Sequence, residues 1–462
     1  MAICTSNVTS GFIDLATFDE VERYLYGGSD ATAYFVRQTR KATWFTQVPV
    51  VLSRAAGSPG FGQEWSVAIS RAGDYMLQTW LRLTTPQVAL KDGSATSKSL
   101  RWTRNLMHNL VKECCITFND LVAARFDSFH LDFWAAFTVP EGKKNAYQNM
   151  IGNFDDLISK KAGTGGNTPS QVLPSTTLNL PLPFFYSRDS GVALPTAALP
   201  YNEMRISFAF RHWNELLIME DTGVNNPEKR SIPSESDLKD GAPVIRTCQV
   251  WANYAIVSND ERKRMACAPR DILIEQVQSA PHQSFTPATN KQQSFDIRFS
   301  HAIKVLFFAV RNSTFRAEMS NYATHSPDGS ATTVDFTPTG SSDPILQTSL
   351  IYENTNRLAQ MGSDFFSLVN PYYHASSITV ETGYHSYSYS LDFVCLDPMG
   401  STNYGKLTNV SIVPEATDTA EAAANGTGGV GANYKQSYEF IVTAVNNNII
   451  RCSGGALGFP VL

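Results

Sequence analysis

Residues 184–206 read FFYSRDSGVALPTAALPYNEMRI and place Ser187, Arg188, Asp189, Ser190 and Glu203 in one short stretch. A hydroxyl nucleophile, a cation and two carboxylates are parts that a hydrolase could use. A serine nucleophile needs a base within hydrogen-bond reach and usually a tight G-x-S-x-G elbow. SRDSG lacks the leading glycine, and no histidine is near it in the chain. A glycosidase needs two carboxylates facing each other across a cleft, and Glu203 stands alone on its segment. No glycine-rich phosphate loop opens a helix, and there is no H-E-x-x-H. Pro195 and Pro200 bracket TAAL, and Tyr201-Asn202-Glu203 leads into an alternating strand. The stretch therefore reads as a polar turn between strands, with no catalytic role. His130 and Asp132 lie two apart, a spacing that ordinary polar packing explains better than a metal site does. No catalytic, cofactor-binding or metal-ligating residue is assigned.

The elements around these residues are mostly strands. Met204, Ile206, Phe208 and Phe210 alternate with Arg205, Ser207, Ala209 and Arg211, the period of a strand with one buried face. Trp65, Val67 and Ile69 alternate in the same way, as do Phe295, Ile297 and Phe299, and Tyr387, Tyr389, Leu391, Phe393 and Cys395. Helices are expected to be few. Thr17-Phe18-Asp19-Glu20 is a capping box opening a helix that stops at Gly27-Gly28, and Ser258-Asn259-Asp260-Glu261 opens another that ends before Pro269. Trp102, Leu106, Leu110 and Cys114 recur every four residues and predict a helix over 101–113, with Cys115 buried in the strand that follows. Polar, Gly/Pro-rich segments at 86–100, 158–177, 221–243, 325–344 and 414–436 punctuate the strands, and the long ones are expected at one end of each sandwich. Many short strands joined by long loops indicate β-sandwiches.

Composition narrows the function. The chain has 462 residues, 43% hydrophobic and 17% charged, enough for two cores. Its formal net charge is −5, whereas a DNA-coating protein needs a basic face. Arg262-Lys263-Arg264 and Lys143-Lys144 are short clusters that read as solvated helix faces. No apolar run reaches the ~18 residues of a membrane span; Val305–Val310 is short enough for a buried strand. MAICTSNVTSGF does not resemble a secretion signal, so the chain is expected on the cytosolic side of membranes. The seven cysteines are irregularly spaced and read as reduced thiols. The sequons at Asn7, Asn312, Asn409 and Asn425 read as accidental.

Longer strings carry a resemblance. YGGSDATAYFVR, FGQEWSVAISRAGDY, RWTRNLMHNL, FFYSRDSGVALPTAALPYNEMRI, DILIEQVQ, IRFSHAIK, LIYENTNR and GSTNYGKLTNVSI occur in order, between NVTSGFIDLA near the start and NNIIRCSGGALGFPVL at the end. They resemble the iridovirus major capsid proteins, within the large nucleocytoplasmic DNA viruses, in wording like that of members infecting invertebrates. The resemblance implies an all-β double jelly roll, two eight-stranded antiparallel β-sandwiches side by side with a few short helices. The expected division is an N-terminal arm (1–30), a first jelly roll (31–258), a connector helix (259–270) and a second jelly roll (271–462). It further implies a homotrimeric, pseudo-hexagonal capsomer that tiles an icosahedral shell, assembled in the host cytoplasm into the virion. Partners implied are neighbouring capsomers, minor capsid proteins and the internal virion membrane on the inner face; no nucleic acid contact and no cofactor are expected. A different class of function, a sandwich that binds carbohydrate or a receptor, would use aromatic platforms such as Tyr372-Tyr373 and Tyr384-His385.

Overall fold

The computed structural model describes residues 10, 12–17, 19–21, 43–163, 170–224, 229–324, 343–379, 381–426 and 435–460. The chain divides into two compact units, Met1–Trp44 and Phe45–Leu462. In the first unit a helix covers residues 12–16, and the Thr17 hydroxyl donates to the Asp14 carbonyl oxygen, closing that helix. The expected stop at Gly27-Gly28 lies outside the described residues.

Sixteen of the strands described in the second unit form two rolls of identical connectivity. The first roll has β1 (Phe45–Val51), β2 (Glu64–Ala68), β3 (Tyr75–Thr84), β4 (Val111–Phe118), β5 (Leu121–Asp127), β6 (Thr177–Pro181), β7 (Met204–Phe210) and β8 (Thr247–Val257). The second has β9 (Arg270–Ser279), β10 (Phe295–Asp296), β11 (Ala302–Asn312), β12 (Ile345–Tyr352), β13 (Thr355–Gly362), β14 (His385–Ser388), β15 (Val410–Ala416) and β16 (Tyr438–Ser453). Sheet order is β1-β8-β3-β6 facing β2-β7-β4-β5 in the first roll, and β9-β16-β11-β14 facing β10-β15-β12-β13 in the second. Adding eight to each strand of one roll gives the other. Every pairing is antiparallel, and this is the double jelly roll that the resemblance implies.

Local chemistry explains the elements. In β7 Met204, Ile206, Phe208 and Phe210 point into the core while their neighbours are half-buried. The turns β4–β5 and β12–β13 are two-residue hairpins at Asn119-Asp120 and Glu353-Asn354, all four with positive φ (49°, 65°, 46° and 65°). That is the backbone twist a tight hairpin requires. The longer connections β3–β4, β5–β6 and β7–β8 share one end of their roll, as alternation of antiparallel strands dictates, and so do their second-roll counterparts. The β5–β6 connection holds α1 (Ser128–Thr138), α2 (Glu141–Ile151) and a single helical turn at Asp155–Ile158; the rolls are joined by α3 (Asn259–Cys267).

Several expectations are corrected. The 101–113 segment is helical only at Leu106–Leu110, between strand Lys98–Trp102 and β4. Spacing by four places residues on one face of a strand as well as of a helix, and here Trp102 and Cys114 sit in strands. Cys114 is the fully buried member of its pair, while Cys115 is half-buried on the opposite face of β4. Helix α3 forms after Ser258, but without the capping box: Glu261 accepts from Arg264 (3.2 Å) instead. Beyond Ser388 the alternating Tyr387–Cys395 run leaves the strand, and Leu391 is 71% exposed. Among the described residues no helix is long and apolar enough to cross a membrane.

Candidate functional site

The residues singled out in 184–206 are dispersed by the fold. Phe184, Phe185 and Tyr186 anchor the segment in the first core, and the 3-10 turn Phe185–Ser187 then turns Arg188 toward the second roll. Arg188 Nη1 donates to Glu275 Oε2 on β9 at 2.6 Å, and its other terminal nitrogen donates to the Val394 carbonyl. The guanidinium lies 4.4 Å from the ring centroid of Trp134 on α1. Glu275 Oε1 accepts from Lys304 Nζ on β11 (2.5 Å), and Lys304 also donates to the Cys395 carbonyl. Lys304 is fully buried, so its ammonium depends on those acceptors. Asp189 and Ser190 remain on an exposed turn. Glu203 is on the surface, paired with Arg205, while its N–H donates to Asn119 Oδ1 (2.8 Å). Ser187 Oγ has no base beside it and is buried without a partner.

His130 and Asp132, neighbours on α1, go to separate environments. Asp132 Oδ1 accepts from Asn105 Nδ2 (3.3 Å) and His108 Nδ1 (2.8 Å), and Oδ2 accepts from Ser320 Oγ and Tyr322 OH, both at 2.9 Å. The Tyr147 hydroxyl closes the chain on His108 Nε2 at 2.6 Å. His130 is buried among Phe126, Trp134 and Phe307 with Nδ1 unpartnered. Burial, and then the nearby Arg188 cation, push it down to about 3, so it is neutral. Among the described residues no three His, Cys, Asp or Glu side chains gather as metal ligands do.

A third polar contact is Glu318, which accepts from Arg101 (3.0 Å) and Arg230 (2.7 Å). Burial alone would raise its carboxyl, but the two guanidinium groups outweigh that and hold it at about 2. In all three clusters groups from residues 101–230 meet groups from residues 275–322. Buried ion pairs add little net stability, but they penalise any sliding that would leave a charge unpaired. Their function is to fix how one roll sits on the other.

The sequence reading missed one cluster with the composition of a catalytic triad. Ser363 Oγ lies 2.5 Å from Asp343 Oδ2 and 2.7 Å from His385 Nε2, and that nitrogen is 3.1 Å from Asp343 Oδ2. A relay needs the carboxylate on one ring nitrogen and the serine on the other. Here both are on Nε2, Nδ1 has no partner, and His385 is buried with its ring stacked on Phe308 (5.1 Å). No spacing in the chain signals this group, because its members come from three separate segments. The arrangement packs the second core and offers no relay.

Among the described residues, two of the apolar surfaces bear on the two rolls. On the outer side of the β1-β8-β3-β6 sheet, Val51, Trp251, Trp80 and Pro181 are consecutive partners in one register row, and Trp80 stacks on Trp251 (6.3 Å). On the second roll, Tyr372 and Tyr373 of α4 (Asn370–His374) are 68% and 71% exposed. Tyr384 and His385, the other expected platform, are core residues. The basic clusters are partly engaged within the chain: Arg262 on Asp74 (2.7 Å), Arg264 on Glu261, and Lys144 on the Ile378 carbonyl (2.5 Å). Asn312 is buried, with Nδ2 donating to Ala323 and Gln436 oxygens, while Asn409 and Asn425 are exposed and Asn7 lies outside the described residues.

Two family models match the chain. One is described as the major capsid protein N-terminus and matches residues 33–257. The other is described as the large eukaryotic DNA virus major capsid protein and matches residues 261–458. The chain is 65% identical over 457 residues to the major capsid protein of Wiseana iridescent virus, covering 98% of this chain and 94% of that one. It is 64% identical over 465 residues to that of Costelytra zealandica iridescent virus, covering 100% of both. Among solved structures it is similar to the PBCV-1 virus capsid, with a TM-score of 0.70 at 20% identity over 93% of this chain and 100% of that one. The Faustovirus major capsid protein gives a TM-score of 0.68 at 10% identity over 93% and 96%. These two likenesses concern the fold.

Proposed function

This chain belongs to the large eukaryotic DNA virus major capsid protein family, and from that premise we propose that it works as a closed homotrimer, a pseudo-hexagonal capsomer of an icosahedral shell. It is a structural component of the virion capsid, as its relatives are, with no enzymatic role. The observation that carries the trimer is the inter-roll junction. One roll grips the other through a heterologous contact, and a ring of three chains repeats a contact of that kind between the second roll of one chain and the first roll of the next. Heterologous contacts that close into a ring leave no free half. Links between capsomers can then be individually weak, because many act together.

In this reading residues 1–30 form an arm, 31–258 and 271–462 the two rolls, and 259–270 the connector. No residue serves catalysis, a cofactor or a metal. Neighbouring capsomers meet the sides. The end of each roll with short connections faces the minor capsid proteins and the internal membrane, and assembly takes place in the host cytoplasm. Sedimentation of the purified protein should give the mass of three chains; a stable monomer at micromolar concentration would count against the trimer. The exposed Tyr372–Tyr373 pair supports a second reading, a carbohydrate platform. Binding of the assembled particle in a glycan screen, lost on replacing both tyrosines, would favour it.

A further inference from the structure

Helix α1 makes the seam between the rolls with one side and borders a cavity with another. Phe133 and Phe137 stack on Phe307 of β11 at 5.8 and 5.6 Å, and Val305, Ala309, Ile441 and Val445 complete that seam. On a neighbouring face of the same helix, Asp132, Ala135, Ala136 and Val139 line a cavity of about 490 Å³, counted out to its mouth. Helix α2 supplies Tyr147 and Ile151 to the wall, and the second roll supplies Thr379, Glu381 and Tyr384. The cavity therefore belongs to both rolls of one chain.

The protons on this wall are already engaged, and what remains is lone pairs. Asp132 holds the N–H of His108 Nδ1, so in the neutral ring Nε2 accepts, and the Tyr147 hydroxyl gives its proton to that nitrogen (2.6 Å). The Tyr384 hydroxyl gives its proton to Glu381 Oε2 (3.4 Å). Burial pushes both phenols up; the Asp132 charge adds to this at Tyr147, and the Glu381 and Asp132 charges add to it at Tyr384, so each keeps the proton it donates. Asn153 Oδ1, also on this wall, is shut off from solvent and has no partner. Among the described lining residues Lys144 is the only Lys or Arg, and its ammonium donates to the Ile378 carbonyl (2.5 Å) and to Glu141 (2.9 Å). The negative charge beside the cavity is incompletely answered. Glu381 has Arg104. Asp132 has Asn105, His108, Ser320 and Tyr322, and among the described residues no Lys or Arg touches it. Arg104 and Arg211 act on it only from a distance, whereas buried carboxylates are ordinarily paired.

We propose that this cavity binds a short primary alkylammonium ion, with the ammonium among the oxygens of Tyr147, Tyr384 and Asn153 and the alkyl stem along Ala135, Ala136 and Val139. An ammonium brings three donors and no acceptor, which matches a wall of lone pairs beside an unpaired carboxylate. The apolar side chains suit a carbon stem and offer nothing to a hydrated inorganic cation. Because Tyr147 and Asn153 belong to the first roll and Tyr384 to the second, the bound amine clamps the seam from within one chain and needs no neighbouring copy.

The test titrates purified full-length protein with n-butylammonium chloride, by calorimetry and in thermal melts, beside n-butanol, sodium butyrate, potassium chloride and Nα-acetyl-lysine amide. Saturable binding of butylammonium that raises the thermal midpoint is expected, with no effect of butanol, butyrate or potassium at equal concentration. If acetyl-lysine amide binds as well, the natural occupant is a lysine side chain of a protein; if it does not, the occupant is a free amine, and either result bears out the site. Asn153→Ala, whose amide oxygen has no partner to lose, should weaken binding roughly tenfold or more and leave the melting point of the unliganded protein unchanged. Tyr147→Phe should weaken it similarly, and its own melting point is read alongside because it leaves His108 Nε2 without a donor. No saturation by millimolar butylammonium, equal binding of butanol or potassium, or an unchanged affinity in Asn153→Ala would overturn the proposal.

Discussion

The outer face of the β9-β16-β11-β14 sheet is closed by phenylalanines, and the same face of the β1-β8-β3-β6 sheet ends in two tryptophans with part of their rings in water. Strand order is identical, so topology does not set the difference. The length of the connection does. Between β5 and β6 the chain has room for α1 and α2, and α1 reaches the neighbouring roll. Between β13 and β14 it has only a short helical segment that stays on its own roll. The polar clusters sharpen this contrast, because Glu275, Glu318 and Asp132 fix α1 and its surroundings in one register.

The sharpest break of this comparison is Phe307→Ala. It should cost about 3–5 kcal/mol, as loss of a fully buried aromatic does, read as a large fall in thermal midpoint. Trp80→Ala on the open face should cost an isolated chain clearly less. Equal losses would mean that the open face is already covered. Next is Glu275→Leu, which leaves Arg188 and Lys304 without their shared carboxylate. A loss of about 3 kcal/mol or more is expected, in denaturant midpoint, and restoring the pairing with Asp should recover part of it.

Acid should loosen the closed side. His130 is held near 3 when folded, below its ordinary 6.5. The unfolded chain binds the extra proton between those values, so stability is full above pH 6.5 and falls with pH, by ~2 kcal/mol at pH 5. His130→Phe should flatten that part of the stability–pH curve. Glu318, held near 2 against 4.5, contributes stability above pH 4.5 that is lost as pH falls toward 2. The variant should keep that lower loss; a variant with an unchanged curve above pH 5 would place the acid response elsewhere. The smallest effect is expected for Glu203→Ala, a surface pair, within about 1 kcal/mol of the parent and with shells of normal form.

Much of the fold was legible where one face of a strand is apolar. Met204–Phe210 and Trp65–Ile69 alternate because the sheet they share has one face turned away from the core. The seam between the rolls was not legible. Phe129, Phe133 and Phe137 recur every four residues and could have announced α1, but the same spacing in Trp102–Cys114 runs from a strand through one helical turn into another strand, so spacing by four does not discriminate. Tyr384 and His385 look like surface aromatics in the letters, yet Tyr384 lies under the seam, against Phe133 from more than two hundred positions earlier, and His385 faces the second core against Phe308. Arg188 illustrates the same limit: its partners Glu275 and Lys304 are set by how the rolls pack, and local pattern carries no trace of that. Capsid membership came from long ordered strings, and no spacing rule supplied it.

Strand β16 has a kinetic consequence. It runs for sixteen residues, Tyr438–Ser453, and pairs with both β9 and β11. The strands at either side of it are therefore made long before the one that joins them. During synthesis the first roll can close once β8 has left the ribosome, but the face that receives Phe133 and Phe137 does not yet exist. For the time taken to translate the second half, α1 presents an aromatic surface to solvent, which is the kind of exposure that chaperones recognise and aggregates exploit. Arrival of β16 completes the sheet and withdraws that surface in one step. Strand β16 thus acts as a timer, because the seam can close only after the chain has been made through it.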